Sequence, residues 1–114
     1  MKTVTKQFTD IQDGIKNLIK AANADYCDGN TNERMCEEFK NGWTIEEGKK
    51  YISIYKTLGN QKSIWGGVVK EDGGKFKKGD ILKAAGYKKF AMNAARGNVL
   101  EGNFGVVWTG ANYL

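Results

Sequence analysis

Tyr51-Ile52-Ser53-Ile54-Tyr55 is where the chain changes its period. Upstream, apolar residues recur at helical spacing. Here they alternate, so Ile52 and Ile54 point to one face and Tyr51, Ser53 and Tyr55 to the other. Five β-branched, aromatic or small residues in that order read as a strand. Gly59-Asn60 turns the chain, and Ser63-Ile64-Trp65-Gly66-Gly67-Val68-Val69 returns as the second strand of a hairpin. Paired glycines inside a strand mark a bulge, or a place where another backbone, an aromatic ring or a ligand comes close.

Upstream of the hairpin, Ile11, Ile15, Leu18, Ile19 and Ala22 form one stripe of a helix running from Thr9 to about Ala24. Thr9 and Gln12 resemble a capping box. Gly14 costs that helix roughly 1 kcal/mol against alanine. Asp28-Gly29-Asn30 reads as a turn, and Asn30 with Glu33 starts a second helix. Met35, Cys36 and Phe39 supply its inner face, and Asn41-Gly42 ends it. Trp43 to Ile45 lead through a loop to a turn at Gly48.

Downstream, Glu71-Asp72-Gly73-Gly74 is a loop. Asp80 stands as N-cap of a helix holding Ile81, Leu82 and Ala85. Gly86 breaks it, and a second helical piece runs from about Lys88 to Gly97. Phe104 to Thr109 is the last strand. The fold class is therefore α+β: two N-terminal helices, then a small, mainly antiparallel three-stranded sheet, with a broken helix before the last strand. With 114 residues, no proline and no repeat or linker, residues 1–114 read as a single domain. Trp43, Trp65 and Trp108 read as core rather than as a ligand platform.

Charge divides that domain. Residues 1–48, the acidic helical part, hold six Lys/Arg against nine Asp/Glu. Residues 49–103, within the basic α+β part at 49–114, hold twelve against four. Lys75, Lys77, Lys78, Lys83, Lys88, Lys89 and Arg96 crowd into the predicted helical pieces, with Tyr87 and Phe90 interleaved. Positive helix N-termini beside Lys77–Lys78 and Lys88–Lys89 would add to an anion-attracting surface. Nucleic-acid phosphate is the polyanion such a surface suits, with Tyr87 stacking on bases. A solvated lysine-rich surface, or a dock for an acidic protein, fits the same residues.

Catalysis is poorly served. Histidine is absent, which removes the usual general base and every His-based triad or metal site. Cys27 and Cys36 are too few for a one-chain zinc site. With nothing pointing to secretion, they read as free thiols. The segment Gly97 to Gly102 lacks the Lys-Ser/Thr ending of a phosphate loop. The acidic pairs Glu37-Glu38, Glu46-Glu47 and Glu71-Asp72 read as solvent-facing. No cofactor is expected, nor a metal or a membrane partner; no run of residues is apolar enough to span a bilayer, and the N-terminus lacks a signal-peptide core. Nothing in the sequence sets the oligomeric state.

The runs Phe76–Ala85 (FKKGDILKAA), Asn93–Gly102 (NAARGNVLEG), Val107–Gly110 and Tyr113–Leu114 resemble the end of a family of small bacteriophage proteins without assigned activity. Lys50–Ile52 and Ser63–Gly66 resemble it too, so the likeness covers about residues 49–114. Relatives carry a proline within the segment matching Tyr87–Met92, and this chain has none. The resemblance implies a phage gene product in the host bacterial cytoplasm. It carries over no site residues. Three expectations follow: a non-enzymatic binder of nucleic acid or a host nucleoprotein complex, an inhibitor of a host enzyme or antiviral defence system, or a small nucleotide binder near Gly66-Gly67.

Overall fold

In the computed structural model, residues 2–28, 32–58, 60–86, 89–90, 95–102, 104–107 and 110–111 are described. The fold is α+β. A short strand β1 (Lys2–Val4) precedes helix α1 (Ile11–Asp28) and helix α2 (Glu33–Lys40). Strands β2 (Trp43–Glu47), β3 (Tyr51–Leu58), β4 (Gln61–Val69), β5 (Ile81–Gly86) and β6 (Lys89–Phe90) then form one antiparallel sheet in chain order. Strands β7 (Phe104–Val107) and β8 (Gly110–Ala111) join β1 in a second sheet, ordered β1-β7-β8.

One buried cluster joins both sheets and α1. Ile15, Leu18 and Ala22 bring the predicted stripe of α1 against Ile52, Ile54, Trp65, Val68 and Ile81 of the larger sheet, and against Val4, Phe104 and Val106 of the smaller. Gly14 has a packing reason: a Cβ there would lie 2.6 Å from the Val99 carbonyl oxygen. The helix gives up propensity at that position and gains close contact with the turn that carries Val99.

The helix ends differ in detail from the expectation. Asp10, not Thr9, caps α1, its carboxylate accepting from the Gln12 N–H at 2.8 Å. Asn32 caps α2, accepting from the N–H groups of Arg34 and Met35; Asn30 lies outside the described residues. Phe39 is fully buried, whereas Met35 is exposed.

The hairpin β3–β4 forms as read, with Leu58 opposite Gln61. The register shifts between Ile54, opposite Gly66, and Tyr55, opposite Ile64. Trp65 is thus the extra residue of a bulge, and it turns into the core. Both glycines that follow are explained by close approach. A Cβ on Gly66 would meet the Leu82 carbonyl oxygen at 2.8 Å, and one on Gly67 would enter the Phe90 ring.

Two predicted helical pieces are corrected. Ile81–Gly86 is a strand: Ile81, Leu82 and Lys83 pair with Val68, Gly67 and Gly66. Lys89–Phe90 returns against it, with Phe90 opposite Ala84 and Lys89 opposite Gly86. Residues 95–97 are not helical, and 87–88 and 91–94 lie outside the described residues. The segment that reads as loop before Gly48 is strand β2, paired with β3 from Trp43↔Lys56 to Glu47↔Ile52. The larger sheet therefore has five strands where three were expected in all. The cysteines are corrected as well. Cys27 and Cys36 are bridged, their Cα atoms 5.4 Å apart, so Cys36 ties α2 to the end of α1 and is no free thiol. None of the described helices is long and apolar enough to cross a membrane.

Candidate binding surface

The sequence placed its functional bet on Lys75, Lys77, Lys78, Lys83, Tyr87, Lys88, Lys89 and Arg96. The structure separates them. Lys75, Lys77 and Lys78 are exposed in the loop between β4 and β5. Lys83 lies half-buried on β5, in register with Gly66. Arg96 is half-buried where the chain runs alongside the start of β5, its N–H donating to the Ile81 carbonyl. Tyr87 and Lys88 lie outside the described residues, and of Lys89 only the backbone is described. No helix N-terminus stands next to Lys77–Lys78, because the residues that follow form a strand; that source of anion attraction is removed.

Asp80 is a turn residue rather than a helix cap. Its carboxylate accepts from the Lys77 N–H at 3.0 Å and from the Asn98 side-chain amide at 2.9 Å. Asn98 is buried and fully engaged. Its amide nitrogen also donates to the Lys78 carbonyl at 2.9 Å, while its oxygen accepts from the N–H groups of Leu100 and Glu101. One side chain thereby stitches the β4–β5 loop to the turn after Gly97. Buried polar groups satisfied this way fix a loop's shape, since each broken bond would strand a partner away from water. Asp72 holds the other side, accepting from the Lys78 N–H at 2.7 Å.

Carboxylates temper the loop's charge. Lys77 is hydrogen-bonded and ion-paired to Glu101. That hydrogen bond raises its pKa above the ordinary 10.5, helped by the charges of Glu101, Asp80 and Asp72. Lys70 bridges Glu47 at 3.6 Å and donates to the Gly48 carbonyl at 2.9 Å, tying the β2–β3 turn to the loop. The Lys70 N–H also donates to the Lys50 carbonyl.

That tie brings together residues the sequence reading missed. Lys49 and Lys50 sit exposed at the β2–β3 turn, at the same end of the sheet as Lys75 and Lys78. Two open grooves meet there. One, of about 640 Å³, lies on the sheet face opposite the core and is walled by Tyr51, Ser53, Tyr55 and Phe90, with Glu46 and Glu47 at its edge. The other, of about 410 Å³, runs past Gly73–Gly74 and Phe76, beside Glu71 and Asp72. Both are lined by Lys49, Lys50 and Tyr51. The Tyr51 and Phe90 rings stand 5.4 Å apart, tilted at 58°. The period-2 reading of Tyr51, Ser53 and Tyr55 as one face held the signal. Missing was that β6 would fold Phe90 onto that face.

An α+β domain with an aromatic, lysine-edged groove on the solvent side of its sheet is the class of molecule this arrangement defines. No protein-family model matches the sequence, and no curated protein or solved structure matches it.

Proposed function

We propose that the protein is a non-enzymatic binding module that holds a single nucleic-acid strand along these two grooves. The observation that carries this reading is their junction, where Lys49, Lys50 and Tyr51 line both grooves and the Tyr51 ring stands beside Phe90. Rings spaced along a sheet face stack on bases of any sequence, and ammonium groups at the rim track the phosphates. The acids Glu46, Glu71 and Asp72 keep the local field low. Affinity then rests more on stacking than on counterion release, and a stiff, fully paired duplex, with its bases hidden, is the poorer ligand. The resemblance of residues 49–114 to phage proteins supports a setting in an infected bacterium, where the strand would belong to a host or viral nucleoprotein complex.

Fluorescence anisotropy with short labelled single strands and duplexes, across a salt series, tests this. Engagement of Lys49, Lys50, Lys75 and Lys78 gives a log–log salt slope of about −3. Tyr51→Ala weakens single-strand binding by about tenfold, the loss of one stacked base. Absence of binding at low salt, or affinity unchanged by Tyr51→Ala and by Lys49→Ala with Lys50→Ala, overturns the proposal.

A further inference from the structure

The hydrogen-bond phase of β2 is fixed at both ends. The Thr57 N–H donates to the Gly42 carbonyl, and the Gly48 N–H donates to the Tyr51 carbonyl, each at 2.8 Å. Antiparallel pairs alternate between bonded and non-bonded positions. Gly42, Thr44, Glu46 and Gly48 therefore face β3 with their backbone groups, and Trp43, Ile45 and Glu47 direct theirs away from it. β2 is an outer strand of the five-stranded sheet. Among the described residues, no backbone group beyond β3 bonds to it. Four of its five residues are exposed. Ile45, at 40% exposure, is one of two large apolar side chains left open among the described residues.

The surroundings of this edge are acidic. Glu46 and Glu47 lie on the strand, Glu47 bridged to Lys70, and Glu38 lines a groove of about 300 Å³ with Thr44 and Thr57 at its start. Lys40 precedes this stretch and Lys49 follows it in sequence. Lys56, opposite Trp43, is buried.

We propose that the β2 edge is a docking site for an extended, lysine- or arginine-bearing segment of a partner protein, which adds as a sixth strand. Three outward N–H and C=O sets supply the backbone ladder, Ile45 meets an aliphatic side chain on one face, and Glu46 pairs with a cation of the incoming strand on the other, Glu47 being bridged to Lys70. The same charges argue against another occupant. A second copy laid antiparallel about Ile45 would bring two Glu46 and two Glu47 side chains into one short seam, the repulsion by which edge strands avoid self-association. The inference does not rest on the aromatic groove, which lies on the sheet's face rather than its edge. The two surfaces together would suit a nucleoprotein target.

The test titrates the full-length, isotope-labelled chain with a synthetic peptide of alternating lysine and valine, and with its glutamate–valine counterpart. The lysine peptide is expected to shift and protect the amides of Trp43, Ile45 and Glu47. Ile45→Pro removes one outward donor without removing a bond to β3, a substitution edge strands accept, and abolishes binding; Ile45→Val retains it. Glu46→Gln weakens binding by about tenfold and keeps the test decisive should the proline variant fail to fold. The proposal is overturned by equal binding of the glutamate peptide, by shifts confined to other strands, by no binding at low salt, or by dimerisation of the chain that Ile45→Pro abolishes.

Discussion

The corner around α2 and the loop end of the sheet are held by different physics. At the corner, Phe39 stacks on Tyr26 with ring centroids 4.2 Å apart, meets Trp43 edge-on at 5.5 Å, and Trp43 passes the contact to Trp65 at 6.4 Å. The Trp43 indole N–H donates to Asn23 at 2.8 Å, and the Cys27–Cys36 bridge closes the corner covalently. At the loop end, residues 71–75 and Lys77 and Lys78 are exposed. Asn98, Asp80 and Asp72 shape the backbone through hydrogen bonds that leave Lys75 and Lys78 in solvent. Burial builds a rigid support, and polar stitching presents a surface. The second arrangement suits binding because it orders a loop without covering it.

Truncating each region's centre probes that contrast. Phe39→Ala removes the ring shared by Tyr26, Trp43 and the Lys56 ammonium, and should cost about 4 kcal/mol, read by denaturant unfolding. Asn98→Ala strands four polar groups and should cost about 3 kcal/mol. It should also broaden the amide signals of Lys77, Lys78, Leu100 and Glu101, an effect Phe39→Ala should lack. If Asn98→Ala proves neutral, the polar stitching is not what shapes the loop.

Next in size is the bridge. Reducing it, or making Cys27→Ser with Cys36→Ser, should cost about 2.5 kcal/mol for so short a loop, as a fall in the unfolding midpoint. The groove is remote from it along the sheet, so oligonucleotide affinity should not change. A bridge of this kind persists in oxidising surroundings, and a reducing cytoplasm would keep the thiols apart.

The smallest effect concerns Lys56, 7% exposed, with its ammonium 5.3 Å from the Phe39 ring centre. Burial lowers its pKa below the ordinary 10.5. The unfolded chain then binds the proton more tightly. Stability should rise with pH between the lowered value and 10.5, and carry a constant penalty below that window. Lys56→Met should abolish the alkaline rise and gain no more than about 1 kcal/mol at neutral pH, because the lost cation–π contact offsets part of the relief.

Much of the corner was legible. The stripe from Ile11 to Ala22, buried Phe39 and the alternation of Tyr51 to Tyr55 all follow from one-dimensional periodicity, because each element buries one face. The loop end was not. Ile81, Leu82 and Ala85 fit a helical period as well as a strand, and the alanines favour a helix. What decides for a strand is distant: Gly66 and Gly67 leave room for β5 to lie close and for Phe90 to cover it. Asp80 has the right chemistry for a helix cap, and it spends that chemistry on Asn98, eighteen residues later. Lysine spacing likewise could not show that Lys49 and Lys50 would join Lys75 and Lys78 at one end while Lys83 and Arg96 sit apart. Nor could the sequence indicate that the two cysteines meet, since that depends on the angle between α1 and α2.

The most direct test of the groove is to map a single-stranded oligonucleotide onto the labelled full-length chain by amide and aromatic chemical-shift changes. Changes centred on Lys49, Lys50, Tyr51, Lys78 and Phe90, and lost in Tyr51→Ala, are predicted. Changes centred instead on Lys83 and Arg96, or none at any salt concentration, would contradict the account.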